Sequence, residues 1–125
     1  MKLITATENP NPLILDNGTI IYEMIGKNYA PIVELDDYSV GLIVVPKCDW
    51  NKPHYHKIVS ETYHVTSGQL QVDVDGKVTT VSAGQAILLE PNEVHKFRNV
   101  QETVCEFLVI NSPPATEDDH FRDRR

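Results

Sequence analysis

The run from His54 to Gly68, "HYHKIVSETYHVTSG", decides how the chain is read. Two histidines stand two residues apart, Glu61 follows five residues after the second, and Gly68 closes the run seven residues later. Side chains alternate along an extended strand, so His54 and His56 project to one face and Tyr55 to the other. Their Cα atoms then lie roughly 6.5–7 Å apart, close enough for both rings to meet one ion. With Glu61 turned inward, Tyr63 and Val65 share its face and His64 takes the opposite, exposed one. Taken singly, each residue also reads as a polar strand end or a solvated acid. The surrounding sequence has to decide.

Working outward, helical periodicity is hard to find. Short runs rich in β-branched and aromatic residues recur between turn residues, the pattern of an all-β sandwich or barrel. "GTIIYEMI" (18–25) is a first strand, "APIVELDD" (30–37) contains a short edge strand, and "YSVGLIVVP" (38–46) is a stronger one stopped by Pro46. "QLQVDVDGKVTTV" (69–81) is the clearest hairpin. Leu70, Val72 and Val74 alternate with polar residues, and Asp75-Gly76 suits a two-residue type I′ turn. "SAGQAILLEPNEVHKF" (82–97) has turns at Ala83-Gly84 and Pro91-Asn92, and "TVCEFLVINSPP" (103–114) is a last long strand. The end, "ATEDDHFRDRR", reads as a charged tail or one short helical turn, with Arg122, Arg124 and Arg125 solvated and His120 away from any site. About eight strands with short turns fit a closed barrel or a jelly roll, and the pattern alone does not separate them.

The 125 residues suit a single domain, with a core over about 18–112 and a tail over 113–125. Eighteen acidic against eleven basic residues give a net charge of −7, which argues against a nucleic-acid partner. No apolar run approaches the roughly 18 residues of a membrane span. The start has no long apolar stretch after Lys2, so no signal peptide is read and a cytoplasmic location is the expectation. Cys48 and Cys105 do not make a zinc motif, and Cys105 reads as a core residue.

A third histidine, His95, opens the strand after the Pro91-Asn92 turn. Three imidazoles and one carboxylate fill four positions around a first-row metal and leave room for water or substrate. With His95 inward, Phe97 and Asn99 share its face.

At these residues the chain resembles the cupin superfamily. The first family motif runs Gly, five residues, His-x-His, three or four residues, Glu, six residues, Gly. His54, His56, Glu61 and Gly68 match it, and Cys48 stands where the opening Gly belongs. The second runs Gly, five residues, Pro-x-Gly-x-x-His, three residues, Asn. Gly84, His95 and Asn99 match, while Glu90 and Asn92 replace the Pro and the second Gly. Asn tolerates the left-handed conformation such a turn needs. The closing "VINSPPATEDDHF" resembles the end of small single-domain cupins of the mannose-6-phosphate isomerase-like type, a likeness of fold more than of activity.

The resemblance implies an all-β double-stranded β-helix, the cupin jelly-roll barrel. It implies a divalent transition metal (iron, manganese, nickel, copper or zinc) on His54, His56, Glu61 and His95. Tyr63 is the candidate catalytic acid, and Tyr63 and Phe97 the candidate pocket residues. The chemistry implied is isomerisation or epimerisation, decarboxylation or dioxygenation of a small sugar-like or organic-acid substrate. The alternative is a non-catalytic module that binds or senses such a molecule. The family also implies a homodimer, with the apolar segment "TIIYEMI" available for strand pairing.

Overall fold

The computed structural model describes residues 1–123, so Arg124 and Arg125 lie outside the described residues. Twelve strands follow in chain order: β1 (Leu13–Ile14), β2 (Ile20–Gly26), β3 (Val33–Glu34), β4 (Ser39–Val45), β5 (His54–Tyr55), β6 (Ser60–Ser67), β7 (Gln69–Val74), β8 (Lys77–Ser82), β9 (Ala86–Leu89), β10 (His95–Arg98), β11 (Cys105–Ser112) and β12 (Phe121–Arg122). The fold is all-β, a double-stranded β-helix made of two sheets and not a closed barrel. One sheet runs β1-β2-β4-β11-β6-β9, with β3 added beside β2. The other runs β12-β5-β10-β7-β8.

The alternation read from the sequence is the alternation of burial. Along β4 and β11, and along β6 as far as Val65, every second residue is buried. Ile43, Val45, Val65, Leu70, Val72, Leu89, Phe97 and Phe107 meet between the sheets as one apolar core, and Cys105 joins it as expected. The hairpin β7–β8 turns at Asp75 and Gly76, both with positive φ (50° and 90°), as a type I′ turn requires.

The motif positions have conformational reasons. Gly68 has φ +79°, and a Cβ there would stand 2.9 Å from the Val104 carbonyl oxygen, so no other residue fits without a shift. Asn92 has φ 71° and does the work of the glycine the second motif asks for. Cys48 is not among the positive-φ residues, which explains why a non-glycine is tolerated there. Asn99 is buried and ties the β10–β11 connection together: its amide donates to the Val45 and Thr103 carbonyls, and its oxygen accepts from the Gln101 N–H.

Two expectations change. The segment after Pro114 is packed: a 3-10 turn at Glu117–Asp119 leads into β12, which pairs with β5. And β2 is not a fully open edge, because β1 and β3 pair with its two ends on the side that β4 leaves open.

Candidate metal centre

Cross-strand register assembles the site from distant parts of the chain. His54 on β5 is directly opposite His95 on β10. Glu61 on β6 faces them from the other sheet, opposite Asn111 of β11. His56 follows β5 by one residue and turns inward. The result is the four-residue set expected from the sequence: ligand atoms of His54, His56, Glu61 and His95 all lie within 4.8 Å of one another. Ligands about 2.1 Å from one ion stand at most about 4.2 Å apart, so a small contraction closes the set on a metal.

The hydrogen bonds favour that occupant. Each imidazole has its Nδ1 beside a backbone carbonyl: His54 beside Lys52 (3.1 Å), His56 beside Asp119 (2.6 Å) and His95 beside Glu93 (3.0 Å). A ring whose Nδ1–H donates to a carbonyl presents an unprotonated Nε2, the form that ligates. The Nε2 of His56 is buried and has no hydrogen-bond partner. The Nε2 of His95 stands 3.1 Å from Glu61 Oε1, and that of His56 3.7 Å from Oε2. A lone pair facing a carboxylate needs a cation between them, a proton or a metal ion.

The ionisation states agree. Burial, then the nearby His95 charge, pushes His54 down to about 3, so its ring is neutral at physiological pH. For Glu61, burial acts to raise the pKa, but the hydrogen bond and charge of His95, with His56 and His54, outweigh it and hold the carboxyl below its ordinary value. The set is therefore three imidazole donors and one carboxylate, suited to a divalent first-row metal.

Tyr63 is fully enclosed, and its hydroxyl is hydrogen-bonded to Glu61; burial first, then Glu61, pushes it well above its ordinary value. Phe97 is buried with its ring edge-on to Tyr63, 6.1 Å away. Both line a cavity of about 430 Å³ that contains His54, His56 and Glu61. Its other walls are mainly apolar, among them Leu13, Ile21, Ile43, Trp50 and Val109. Trp50 is held at the wall by Arg98 and Lys96, whose charges sit 4.4 and 5.1 Å from its ring centre.

Several residues at the site were not expected there. His120, placed in a solvated tail by the sequence, stacks on His54 at 4.7 Å between ring centres with planes 13° apart, and lines the cavity. It is not one of the four clustered ligands. Asp119 beside it holds the loop that connects His56 to Glu61: its carboxylate accepts from the N–H groups of Lys57, Ile58 and Val59 at 2.8–3.2 Å. Glu23, Tyr29 and Asn111 also reach the cavity. Glu23 had a readable signal, a lone acid inside the apolar run of β2. The C-terminal residues had none, because a two-residue strand leaves no periodicity.

Residues 41–111 match the family model described as "Cupin domain". The uncharacterized protein MJ1618 of Methanocaldococcus jannaschii is 27% identical over 120 residues, covering 95% of this chain and 94% of that protein. Quercetin 2,3-dioxygenase of Bacillus subtilis is 29% identical over 105 residues, which takes in 78% of this chain but only 31% of the dioxygenase. Among solved structures, the polyketide cyclase RemF from Streptomyces resistomycificus superposes with a TM-score of 0.77 at 20% identity, over 98% of this chain and 84% of that one. No helix among the described residues is long and apolar enough to cross a membrane.

Proposed function

The chain belongs to the cupin family, and from that premise we propose that it is a metal-dependent enzyme acting on a small oxygenated molecule with an apolar body. The observation that carries this reading is the set of three imidazoles, each with Nδ1 at a backbone carbonyl, converging with Glu61 at a largely apolar cavity. His54, His56, Glu61 and His95 hold the ion. A metal there supplies Lewis-acid polarisation of an oxygen ligand, or redox chemistry if it is iron, manganese or copper. Tyr63 keeps Glu61 aimed at the ion through its hydroxyl. The apolar walls exclude water and strengthen every charge interaction inside. They also favour a ring-bearing or unsaturated body over a free sugar, whose hydroxyls would each need a partner. The names of two similar proteins, a quercetin 2,3-dioxygenase and a polyketide cyclase, are in keeping with that class.

The test is elemental analysis of protein purified without chelator and without a nickel column. About one divalent transition-metal ion per chain is expected. Protein that is metal-free, and stays so after incubation with manganese, iron, nickel, copper and zinc in turn, would rule the reading out.

One observation favours a second reading, a non-catalytic binding module: the Tyr63 hydroxyl, the acid expected from the sequence, is already engaged by Glu61. A pocket with no other proton donor would bind without transforming.

We also infer that two copies pair through the outer face of the larger sheet. Its strands are apolar on both sides: Tyr22, Leu42 and Leu108 share one outward row, and the exposed Leu88 and Ile110 belong to the next. Such a face marks an interaction surface. Light scattering should give the mass of two chains, and a Leu108→Lys variant the mass of one. A wild-type mass of one chain contradicts the inference.

A further inference from the structure

The floor of the cavity carries a second polar feature, made of residues outside the four clustered ligands. Glu23, Gly41, Val109 and Tyr63 form one cross-strand row over β2, β4, β11 and β6. Paired residues share a face, so Glu23 points into the cavity with Tyr63. It is 7% exposed, and its carboxyl has no hydrogen-bond partner among the described residues. Gly41 makes its position possible: a Cβ at residue 41 would stand 3.1 Å from Glu23 Oε1 and 3.3 Å from Val109 Cγ1. The carboxyl therefore lies over a glycine, leaning across the floor toward β11.

Beside that row stands Asn111, opposite Glu61 on one side and Ser39 on the other. It is 4% exposed and lines the cavity, and its Oδ1 is buried without a partner. Two buried polar side chains with unfilled hydrogen-bonding capacity thus share the floor of an apolar chamber. Leaving such groups unpaired costs stability, and a ligand that pairs them recovers it. The backbones of β2 and β6 lie three strand spacings apart, roughly 14 Å. That separation, less the reach of the side chains, is of the order of a ring-sized body.

We propose that Glu23, as the neutral acid, donates a hydrogen bond to a carbonyl or hydroxyl oxygen at the end of the substrate remote from the metal, while Asn111 Oδ1, beside Glu61, accepts from a substrate hydroxyl. The substrate class is then an aromatic or conjugated molecule with chelating oxygens at one end and a further oxygen at the other. This rests on the metal-centre reading above. Burial, then the Glu61 charge, pushes Glu23 up to about 8, so it keeps its proton at neutral pH. The titratable groups whose charges couple to it are Glu61 from β6 and Tyr29 from the loop after β2. On β4 and β11 its neighbours Gly41, Val109 and Asn111 do not titrate. The donor is present below its pKa and is lost as pH rises through about 8.

The test uses two probes on the zinc-loaded protein: a catechol carrying an acetyl group para to one hydroxyl, and the same catechol carrying ethyl. Calorimetry gives the ratio of their affinities. Wild type should favour the acetyl compound roughly 2–10-fold more than Glu23→Leu does, the worth of one neutral hydrogen bond. Glu23→Gln keeps a donor and should keep the preference. Relative to that variant, whose profile cancels the ligands' own acidity, the wild-type preference should fall as pH rises and Glu23 loses its proton. Equal ratios in wild type and Glu23→Leu overturn the proposal, as does parallel pH behaviour of wild type and Glu23→Gln, or failure of both catechols to bind. If zinc itself does not load, the metal reading has failed separately. Infrared spectroscopy then decides for Glu23: a protonated-carboxyl band at neutral pH, absent in Glu23→Gln, supports the neutral acid, and its absence from wild type overturns it.

Discussion

His95→Ala should remove most of the metal-dependent stabilisation while leaving a folded protein. His95 is almost wholly buried, supplies one of four donors, and sits 3.1 Å from the Glu61 carboxylate. Losing a residue that only orients a ligand costs roughly 10–100-fold in affinity, so losing a ligand should cost at least about 100-fold. The consequence for unfolding is calculable. At a metal concentration 100 times the wild-type Kd, binding adds about 2.7 kcal/mol; after a 100-fold loss it adds about 0.4 kcal/mol. Thermal unfolding with and without metal reads this difference directly. Each protein is its own reference, so any destabilisation of the metal-free variant drops out. His64→Ala is the control: His64 pairs with Leu108 on the outward row of the same sheet and should leave the metal response intact. Equal metal-dependent stabilisation of wild type and His95→Ala would remove His95 from the site.

The readable parts of this protein were those with local or motif-scale signatures. Period-2 burial in β4, β6 and β11 follows from alternating side chains, and the β7–β8 turn from the conformations open to Asp75 and Gly76. The four clustered residues were legible because strand geometry fixes His54 and His56 relative to each other, and turns at Gly68, Gly84 and Asn92 fix where Glu61 and His95 re-enter. What escaped was long-range and weakly patterned. Asp119 and His120 act on residues 60 or more positions earlier, through a short turn and a two-residue strand. Glu23 stood out as a lone acid in β2, but an irregular register near Ile25 and strands that are apolar on both faces did not declare which side was inward. The same two-sided apolarity is what leaves the outer face open to a partner.

Asp119→Ala should weaken both the fold and the metal centre, although Asp119 is not among the clustered ligands. Its carboxylate receives the N–H groups of Lys57, Ile58 and Val59, the loop that sets the spacing between His56 and Glu61. Its carbonyl receives Nδ1–H of His56 at 2.6 Å. Alanine keeps the carbonyl but releases the loop. Val59 is buried, so its N–H loses a charged acceptor that water does not readily replace, whereas Lys57 and Ile58 are exposed and can be resolvated. The expected loss is about 2–4 kcal/mol in the metal-free protein. Metal affinity should fall roughly 10–100-fold, because the released loop no longer fixes His56 relative to Glu61. Asp119→Asn keeps an acceptor oxygen without the charge and should fall between. The pH dependence has a definite sign. Burial opposes ionisation, but the three N–H groups and His56 outweigh it and hold Asp119 below its ordinary value. Its contribution is therefore complete above the unfolded pKa of about 3.9 and is lost only as pH falls below that. Urea unfolding of the metal-free protein and chelator competition on the loaded protein separate the two effects. If Asp119→Ala changes stability but not metal affinity, the C-terminal turn braces the loop without orienting His56. If it changes neither, the packing of residues 117–122 against β5 does not hold in solution.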